Sequence, residues 1–357
     1  MQRNDSTRFL SGPFGGIVVG LLLLVLPLAA ANARPVEDSA GRIVEVPDTV
    51  ERIFAAGPPA SVLVYVLAPE MLTGWPRALR PLERKYVAGP FRDLPELGRL
   101  TGRGDTANLE VILGIDPDII VDFGSVRDTY ISLADAVQAQ TGIPYLLIDG
   151  RFDATPQALR LLGRAIGREA RGEALARYTE STFEEIDAIL AKVPEHERPR
   201  VYLARGPDGL ESGSVGSINT EIIERAGGMN AVGVVPGRRG IVQLTMERIL
   251  AADPEIIVTW DANFYRSVWN DPLWADVAAV RDRRVYMSPL APFGWIDRPP
   301  SLNRLIGLKW LAGLFYPDRF TFDLAAETRA FYDLFYHVDL SDEDLKRLIE
   351  WTRGTIP

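Results

Sequence analysis

The chain contains one stretch of sixteen residues twice: residues 108–123 read NLEVILGIDPDIIVDF, and residues 245–260 read TMERILAADPEIIVTW. At an offset of 137 positions, eight of the sixteen residues are identical, in order and without gaps. This duplication predicts two related lobes. A protein built from two facing lobes is expected to bind its ligand in the cleft between them.

Each copy of the repeat predicts a short helix followed by a buried parallel strand. Asn108 and Thr245 are good N-cap residues. The apolar residues of each helix have the i, i+3, i+4 spacing of a buried stripe: Leu109, Ile112 and Leu113 in the first copy, and Met246, Ile249 and Leu250 in the second. Residues 119–121 and 256–258 are continuously apolar, as expected of parallel strands covered on both faces. Helices and strands therefore alternate, which predicts an α/β fold with two Rossmann-like lobes and mostly parallel sheets.

The longest helical pattern lies between the lobes. Thr155 and Pro156 suit a helix start, the pattern extends to about residue 193, and Gly167 and Gly172 are predicted to interrupt it. We divide the chain into a leader (1–33), an N-terminal lobe (34–165), one long linking helix (166–194) and a C-terminal lobe (195–357). A stiff helix between lobes predicts small opening motions. An ordinary surface helix beside two flexible loops is the alternative.

The first residues have the pattern of a secretory signal peptide. Arg3 and Arg8 precede an apolar run at 17–28, and Ala31-Asn32-Ala33 is a small-x-small cleavage site. Cleavage after Ala33 predicts a periplasmic protein, with an uncleaved anchor as the alternative. The chain has no cysteine, which excludes disulfides, thiolate metal sites and a lipid-bearing cysteine at the leader junction.

The charge balance narrows the classes of partner. The net charge is −9, whereas nucleic-acid binding needs a basic surface. A bare transition-metal site usually uses imidazole or thiolate ligands, and the only histidines, His196 and His337, lie in separate regions. We therefore predict no nucleic-acid partner, no resident cofactor and no direct metal site.

The leader, the two lobes, the linking helix and the paired Asn-Leu-Glu…Pro-Asp-Ile-Ile-Val unit together resemble a known family. They look like the periplasmic substrate-binding proteins of ABC importers for iron–siderophore, haem and cobalamin. The resemblance covers essentially the whole mature chain and includes GRIVEVPDTVERI (41–53) and GSINTEIIERAGGMNAV (216–232). It implies a monomeric transport protein without catalysis, which binds a small-molecule metal chelate.

The resemblance also implies how such a protein meets its membrane partner. In relatives, one glutamate on each lobe contacts arginines of a two-fold permease dimer, which works with an ATPase. The matching positions here are Glu110 and Glu247, each second in its repeat helix. An exposed ion pair contributes only about 0–1 kcal/mol, so these glutamates are expected to set register and steer approach rather than supply affinity.

Candidate ligand contacts follow from the position of strand ends. In open α/β sheets, ligands bind beyond the carboxyl ends of the strands. Aromatic residues there suit a flat ligand, and arginines suit an anionic chelate; relatives place aromatics at the positions of Phe123 and Trp260. The predicted ligand-binding residues are Trp75, Phe123, Arg205, Arg238, Arg239, Trp260, Trp295 and Arg298, with Arg103 as a further candidate.

These observations predict a periplasmic receptor for a metal chelate, with a ferric siderophore as the first candidate. Haem, a corrinoid and a small nickel or cobalt chelate are the alternative ligands. Two other classes stay open: a chelatase-like enzyme, and a sensor that reports a ligand without transporting it. The enzyme is disfavoured because the sequence has no Gly-x-Ser-x-Gly elbow, no thiol and no His-rich metal motif.

Overall fold

The computed structural model describes residues 33–102, 107–237, 240–354 and 356. The predicted leader, apart from Ala33, lies outside the described residues, as do Arg103, Arg238 and Arg239. Within the described part of the chain, no helix combines the length and apolarity needed to cross a membrane.

The first lobe is built on a parallel sheet with strand order β3-β4-β5, and an antiparallel hairpin, β1-β2, precedes it. Its strands are β1 (Ala33–Glu37), β2 (Ile43–Pro47), β3 (Ile53–Ala55), β4 (Ile119–Gly124) and β5 (Tyr145–Asp149). Its helices are α1 (Pro58–Leu67), α2 (Pro81–Lys85), α3 (Leu109–Ile115), α4 (Asp128–Thr141) and α5 (Thr155–Ala165). Short 3-10 turns occupy Pro69–Met71, Gly89–Phe91 and Phe152–Ala154.

The second lobe repeats this plan. Its main sheet is parallel with strand order β11-β10-β6-β8, and β7 and β9 form a small antiparallel ribbon. Its strands are β6 (Arg200–Ala204), β7 (Glu211–Gly213), β8 (Met229–Asn230), β9 (Ile241–Gln243), β10 (Ile256–Thr259) and β11 (Val285–Met287). Its helices are α7 (Glu221–Arg225), α8 (Met246–Ala252), α9 (Ala262–Ser267) and α10 (Ala278–Arg281). Two parallel sheets flanked by helices confirm the predicted α/β class.

The two copies of the repeat fold alike, with one correction. α3 and α8 each end at an aspartate in the left-handed conformation, Asp116 (φ 52°) and Asp253 (φ 39°). Of the predicted buried stripe, only Ile112 and Ile249 are buried. The third member of each stripe, Leu113 or Leu250, was wrongly predicted to be buried and faces solvent. A helix of seven residues has fewer than two full turns and buries only a narrow strip against its lobe, so the i+4 leucine stays exposed to solvent.

The linking helix matches its prediction closely. α6 runs over Glu169–Leu190 and a 3-10 turn follows at Glu195–Glu197. Gly167 breaks the pattern in the left-handed conformation (φ 67°), but Gly172 does not, because it lies inside α6. A Cβ at Gly172 would lie 2.7 Å from the carbonyl oxygen of Leu159, so this glycine allows α5 and α6 to pack closely.

The C-terminal helices tie the second lobe back to the first. They are α11 (Arg304–Phe315), α12 (Leu324–Tyr336) and α13 (Asp342–Thr352). α11 packs against the linking helix, and α12 packs against α1 of the first lobe. The hydroxyl of Tyr65 in α1 donates a hydrogen bond to the carbonyl oxygen of Tyr336 (2.5 Å). The predicted 195–357 lobe therefore ends in helices that pack on both lobes.

A buried arginine joins the two lobes. Arg304 is fully buried, and its Nη1 donates to Glu221 Oε1 (2.5 Å) and to the carbonyl oxygen of Ile218 (2.8 Å), both in the second lobe. Its Nη2 donates to the carbonyl oxygen of Gly150 (3.0 Å), just after β5 of the first lobe. Burial lowers the pKa of Arg304 and raises that of Glu221, while each charge opposes the shift of the other.

Replacing this arginine should destabilise the whole chain. Arg304→Met removes the hydrogen bonds to both lobes and leaves Glu221 without its partner, so we expect a loss of about 3–5 kcal/mol in the free energy of unfolding. Urea denaturation followed by circular dichroism measures it. Arg347→Met is the matched control, because Arg347 forms only exposed ion pairs and its loss should cost less than about 1 kcal/mol. Equal effects of the two substitutions would contradict the bridging role of Arg304.

Candidate functional site

Residues at the carboxyl ends of the second lobe's strands form a cluster with the segment that follows its last strand. Arg205 follows β6 and Trp260 follows β10. Asp297 and Arg298 come from the loop between β11 and α11. Residues of different strand ends therefore meet at the edge of the sheet where α/β proteins bind ligands.

Two guanidinium groups lie over one indole ring. The Cζ of Arg298 is 4.5 Å from the ring centroid of Trp260, and the Cζ of Arg205 is 5.5 Å from it. Both distances are within the range of a cation–π contact. Trp260 is 8 % exposed, so its ring mainly supports the two cations and offers little free face to a flat ligand.

Asp297 faces Arg205 from the other side. Asp297 Oδ2 is 3.2 Å from Arg205 Nε, and the two side chains are 1 % and 14 % exposed. The amide of Asn219 donates to Asp297 Oδ1 (2.7 Å) and so orients the carboxylate. Asp297 does not cap a helix, because α11 begins seven residues later with Asn303 as its N-cap.

Several buried polar atoms of this cluster have no hydrogen-bond partner among the described residues. They are Nε and Nη1 of Arg205, Nε1 of Trp260 and Oδ2 of Asp297. Arg205 Nε and Asp297 Oδ2 are close, but their geometry is not that of a hydrogen bond. Unpaired buried polar groups are costly and are concentrated at functional sites. Most of those found here are N–H donors, which suit an anionic oxygen of a ligand.

The first lobe adds positive charge near Arg298. Partial burial and the nearby charges of Arg80 and Arg77 lower the pKa of Arg298. Glu83 pairs with both first-lobe arginines, at 2.6 Å from Arg77 Nη2 and 2.5 Å from Arg80 Nη2. Burial would raise the pKa of Glu83, but the hydrogen bonds from these arginines outweigh burial and lower it. The four guanidinium groups of this region lie near four carboxylates, those of Glu83, Glu96, Asp261 and Asp297.

The backbone at Arg298 is also unusual. Its φ of +98° lies in a region that residues with a side chain rarely adopt. Such conformations cost about 1–3 kcal/mol and are concentrated at binding and active sites. The conformation therefore makes this loop a candidate functional segment.

Three of the predicted ligand contacts are core residues instead. Trp75, Phe123 and Trp295 are between 0 and 2 % exposed. The indole N–H of Trp75 donates to the carbonyl oxygen of Phe91 (2.9 Å), and that of Trp295 donates to the hydroxyl of Tyr332 (3.2 Å). Large apolar rings near a strand end are buried by the elements that pack over it, so the position alone does not expose them.

The segment before Trp75 does not form a strand. Residues 69–71 form a 3-10 turn, and only isolated bridges at Leu72 and Trp75 follow it. The sequence reasoning missed Arg77, Arg80 and Asn219 altogether. The spacing of Arg77, Arg80 and Glu83 was the available signal, because i, i+3 and i+6 positions of a turn or helix lie near one another.

The predicted docking glutamates are both exposed. Glu110 and Glu247 lie in the first turn of α3 and α8, respectively. Hydrogen bonds from its own backbone and from the Thr245 hydroxyl lower the pKa of Glu247. Asn108 caps α3 by accepting the backbone N–H of Glu110 (2.9 Å). Thr245 occupies the N-cap of α8 but makes no capping hydrogen bond.

A pocket of about 570 Å³ lies elsewhere, between the linking helix and α7, and is lined mainly by charged residues. Arg225 forms ion pairs with Asp153 (3.0 Å) and Asp187, and Arg151 forms one with Asp149 (2.6 Å). Nε of Arg225 and Nε of Arg198 have no hydrogen-bond partner among the described residues.

Comparison with known proteins places these features in context. Residues 89–290 match the model of a family described as periplasmic binding protein. The molybdate-binding protein MolA of Haemophilus influenzae is 24% identical over 93% of this chain and 99% of its own length. A cobalamin-binding protein of Halobacterium salinarum is 30% identical over 52% of this chain and 49% of its own length. An ABC transporter solute binding protein from Sulfurospirillum deleyianum superimposes with a TM-score of 0.80 and 32% identity, over 89% of this chain and 99% of that one.

Asp122, at the end of β4, should make stability depend on pH. Burial raises its pKa to about 6, although hydrogen bonds from Thr101 and Tyr145 act in the opposite direction. The folded state therefore favours the protonated carboxyl. The protonated Asp122 carboxyl makes its full contribution to the free energy of unfolding below about pH 4. This contribution is lost as the pH rises through about 6.

Asp122→Asn should remove this dependence. Between pH 4 and pH 7, we expect the free energy of unfolding of the variant to rise relative to the wild type by about 1–3 kcal/mol. Urea titrations at a series of pH values measure the difference. Asp318→Asn, at an exposed position, is the control and should show no such trend. A constant difference between Asp122→Asn and the wild type at all pH values would refute the assignment.

Proposed function

The chain belongs to the periplasmic binding protein family, and we propose that this substrate-binding protein of an ABC transporter captures an anionic metal chelate, with a ferric siderophore as first candidate. The proposed contacts are Arg205, Trp260 and Arg298, helped by Arg77 and Arg80. The predicted contacts Arg238 and Arg239 lie outside the described residues and stay predictions.

One observation supports an anionic ligand above the others: Arg205 Nε and Nη1 and the indole N–H of Trp260 are buried and have no hydrogen-bond partner among the described residues, although Asp297 Oδ2 lies 3.2 Å from Arg205 Nε. A ligand oxygen that accepts these hydrogen bonds would relieve the cost of leaving them unpaired. Arginine binds such oxygens with two parallel N–H groups.

The burial of Trp260 disfavours haem and a corrinoid, the alternative ligands with a planar ring system. Haem or a corrinoid would need an open aromatic face, and Trp260 is 8 % exposed with guanidinium groups over its ring. The other aromatic candidates at described positions are core residues. A ligand held through its anionic edge therefore fits the cluster better than one stacked through its plane.

A second candidate ligand is a free oxyanion. It is favoured by the similarity, along nearly the full length of both chains, to a protein named for binding molybdate. The same donors that would bind the edge of a chelate also suit a tetrahedral oxyanion. The two candidates differ in size and in the presence of iron, so a direct comparison of binding separates them.

Titration calorimetry with three probes tests the ligand class: a ferric tricatecholate, which is strongly anionic, a ferric trihydroxamate, which is close to neutral, and molybdate. We expect tight binding of the ferric tricatecholate and much weaker binding of the trihydroxamate. If molybdate is the one probe of the three that binds, the ligand is a free oxyanion and not a metal chelate. Preference for the neutral chelate would contradict the role of the arginines.

Arg298→Gln should weaken binding of the ferric tricatecholate by about tenfold to a hundredfold, since it removes one charged donor from the cluster. Arg319→Gln is the matched control, because Arg319 bonds to Lys192 and Glu197 and is outside the cluster. Trp260→Phe keeps a ring under the guanidinium groups but removes the N–H donor, and it should also weaken binding. Unchanged dissociation constants for both cluster variants would remove this site from consideration.

We further propose that Glu110 and Glu247 dock the loaded protein on its permease. The support is their equivalent place in the two repeat helices, their exposure and the charge of Glu247, whose pKa is lowered. Proteins of this family work with membrane permease and ATPase components. A receptor that only senses its ligand is the competing role, and it needs no permease contact.

Glu110→Ala/Glu247→Ala should leave binding of the ferric tricatecholate unchanged and abolish its uptake, because the steering charges are lost from both lobes. Cellular uptake of radioactive iron supplied as this chelate is the measurement. The control is Glu184→Ala/Asp318→Ala, which makes the same change in net charge at other exposed positions. Normal uptake by the first double variant would argue against docking through these glutamates.

A further inference from the structure

Each repeat helix exposes a leucine next to its glutamate. Leu113 in α3 is 49 % exposed and Leu250 in α8 is 38 % exposed. Each lies three residues after the glutamate of its helix, and residues at i and i+3 are neighbours on a helix surface. An acidic and an apolar side chain therefore stand side by side on both lobes.

The duplication itself shows which exposed positions are the same in both copies. Each helix has four exposed positions: Glu110, Val111, Leu113 and Gly114 in α3, and Glu247, Arg248, Leu250 and Ala251 in α8. Glutamate and leucine are identical in the two copies, whereas valine is paired with arginine and glycine with alanine. The shared exposed residues are therefore the two that could form one contact surface.

The fold gives no reason for these leucines. The buried contact of each helix is made by Ile112 or Ile249, and the leucine lies outside it. A single exposed leucine is ordinary on a protein surface. The same leucine exposed at equivalent positions of two lobes, each time beside an acid, is better explained by a partner that covers both.

We propose that Glu110, Leu113, Glu247 and Leu250 form one docking surface for a two-fold symmetric membrane permease, and that the leucines supply its affinity. This inference rests on the proposed transport function. Each repeat helix presents one glutamate and one leucine, so the partner needs two equivalent binding sites, which a symmetric dimer provides. Each socket is basic at its rim and apolar inside. Exposed charges mainly steer approach, while buried apolar anchors slow dissociation.

Binding to the cognate permease–ATPase complex in lipid nanodiscs tests this surface by biolayer interferometry. Leu113→Ala/Leu250→Ala should weaken binding about tenfold or more, mainly through faster dissociation. Glu110→Ala/Glu247→Ala should mainly slow association. The glutamate effect should shrink at high salt, where exposed charges are screened, whereas the leucine effect should persist.

Leu273→Ala is the matched control, because Leu273 is 64 % exposed but lies outside both repeat helices. It should bind like the wild type. If the leucine double variant also binds like the wild type while the glutamate variant does not, the leucine surface is wrong and the transport function stands. If the wild type itself does not bind, the transport function fails and the inference fails with it. A loss of self-association without a change in permease binding would assign the leucines to a dimer contact and overturn the proposal.

Discussion

A buried guanidinium is bonded to both lobes and helps to fix how they meet. Arg304 donates to carbonyl oxygens on both sides of the boundary, at Gly150 in the first lobe and Ile218 in the second, and its charge is balanced by Glu221. Such a group is stable away from water only if its hydrogen bonds are satisfied. The relative position of the lobes is therefore tied to a specific set of partners and is not left to a flexible linker.

The binding cluster depends on this connection. The loop that ends at Arg304 also contains Asp297 and Arg298, so the residues facing Arg205 and Trp260 are held by the same segment that joins the lobes. Ser301 in that segment donates to the carbonyl oxygen of Pro59 in the first lobe (2.9 Å). A change in lobe spacing would move the charged loop. If the proposed ligand binds this cluster, binding and any change in lobe spacing would be mechanically related, and α6 and the helices that pack across the boundary would resist a large motion.

The two proposed functions, ligand binding and permease docking, use different residues of the molecule. The arginines and Trp260 lie beyond the carboxyl ends of strands, whereas Glu110 and Glu247 lie on the short helices that precede β4 and β10. A ligand at the first place and a permease at the second contact different residues. Substitutions in the ligand cluster should therefore leave permease docking unchanged, and substitutions of the two glutamates should leave ligand binding unchanged. A protein that both binds and delivers a ligand needs these two contacts to be separate.

The amino-acid sequence alone determined the fold class, the duplication, the linking helix and the positions of Glu110 and Glu247, because these follow from local periodicity, capping and an internal repeat. It also nominated Arg205, Trp260 and Arg298 through their places after strands or in the loop after the last strand. Only the tertiary structure decided that Trp75 and Trp295 are buried and that Arg77 and Arg80 approach Arg298. Exposure and charge proximity depend on contacts between residues far apart in the chain, and no local pattern records those contacts.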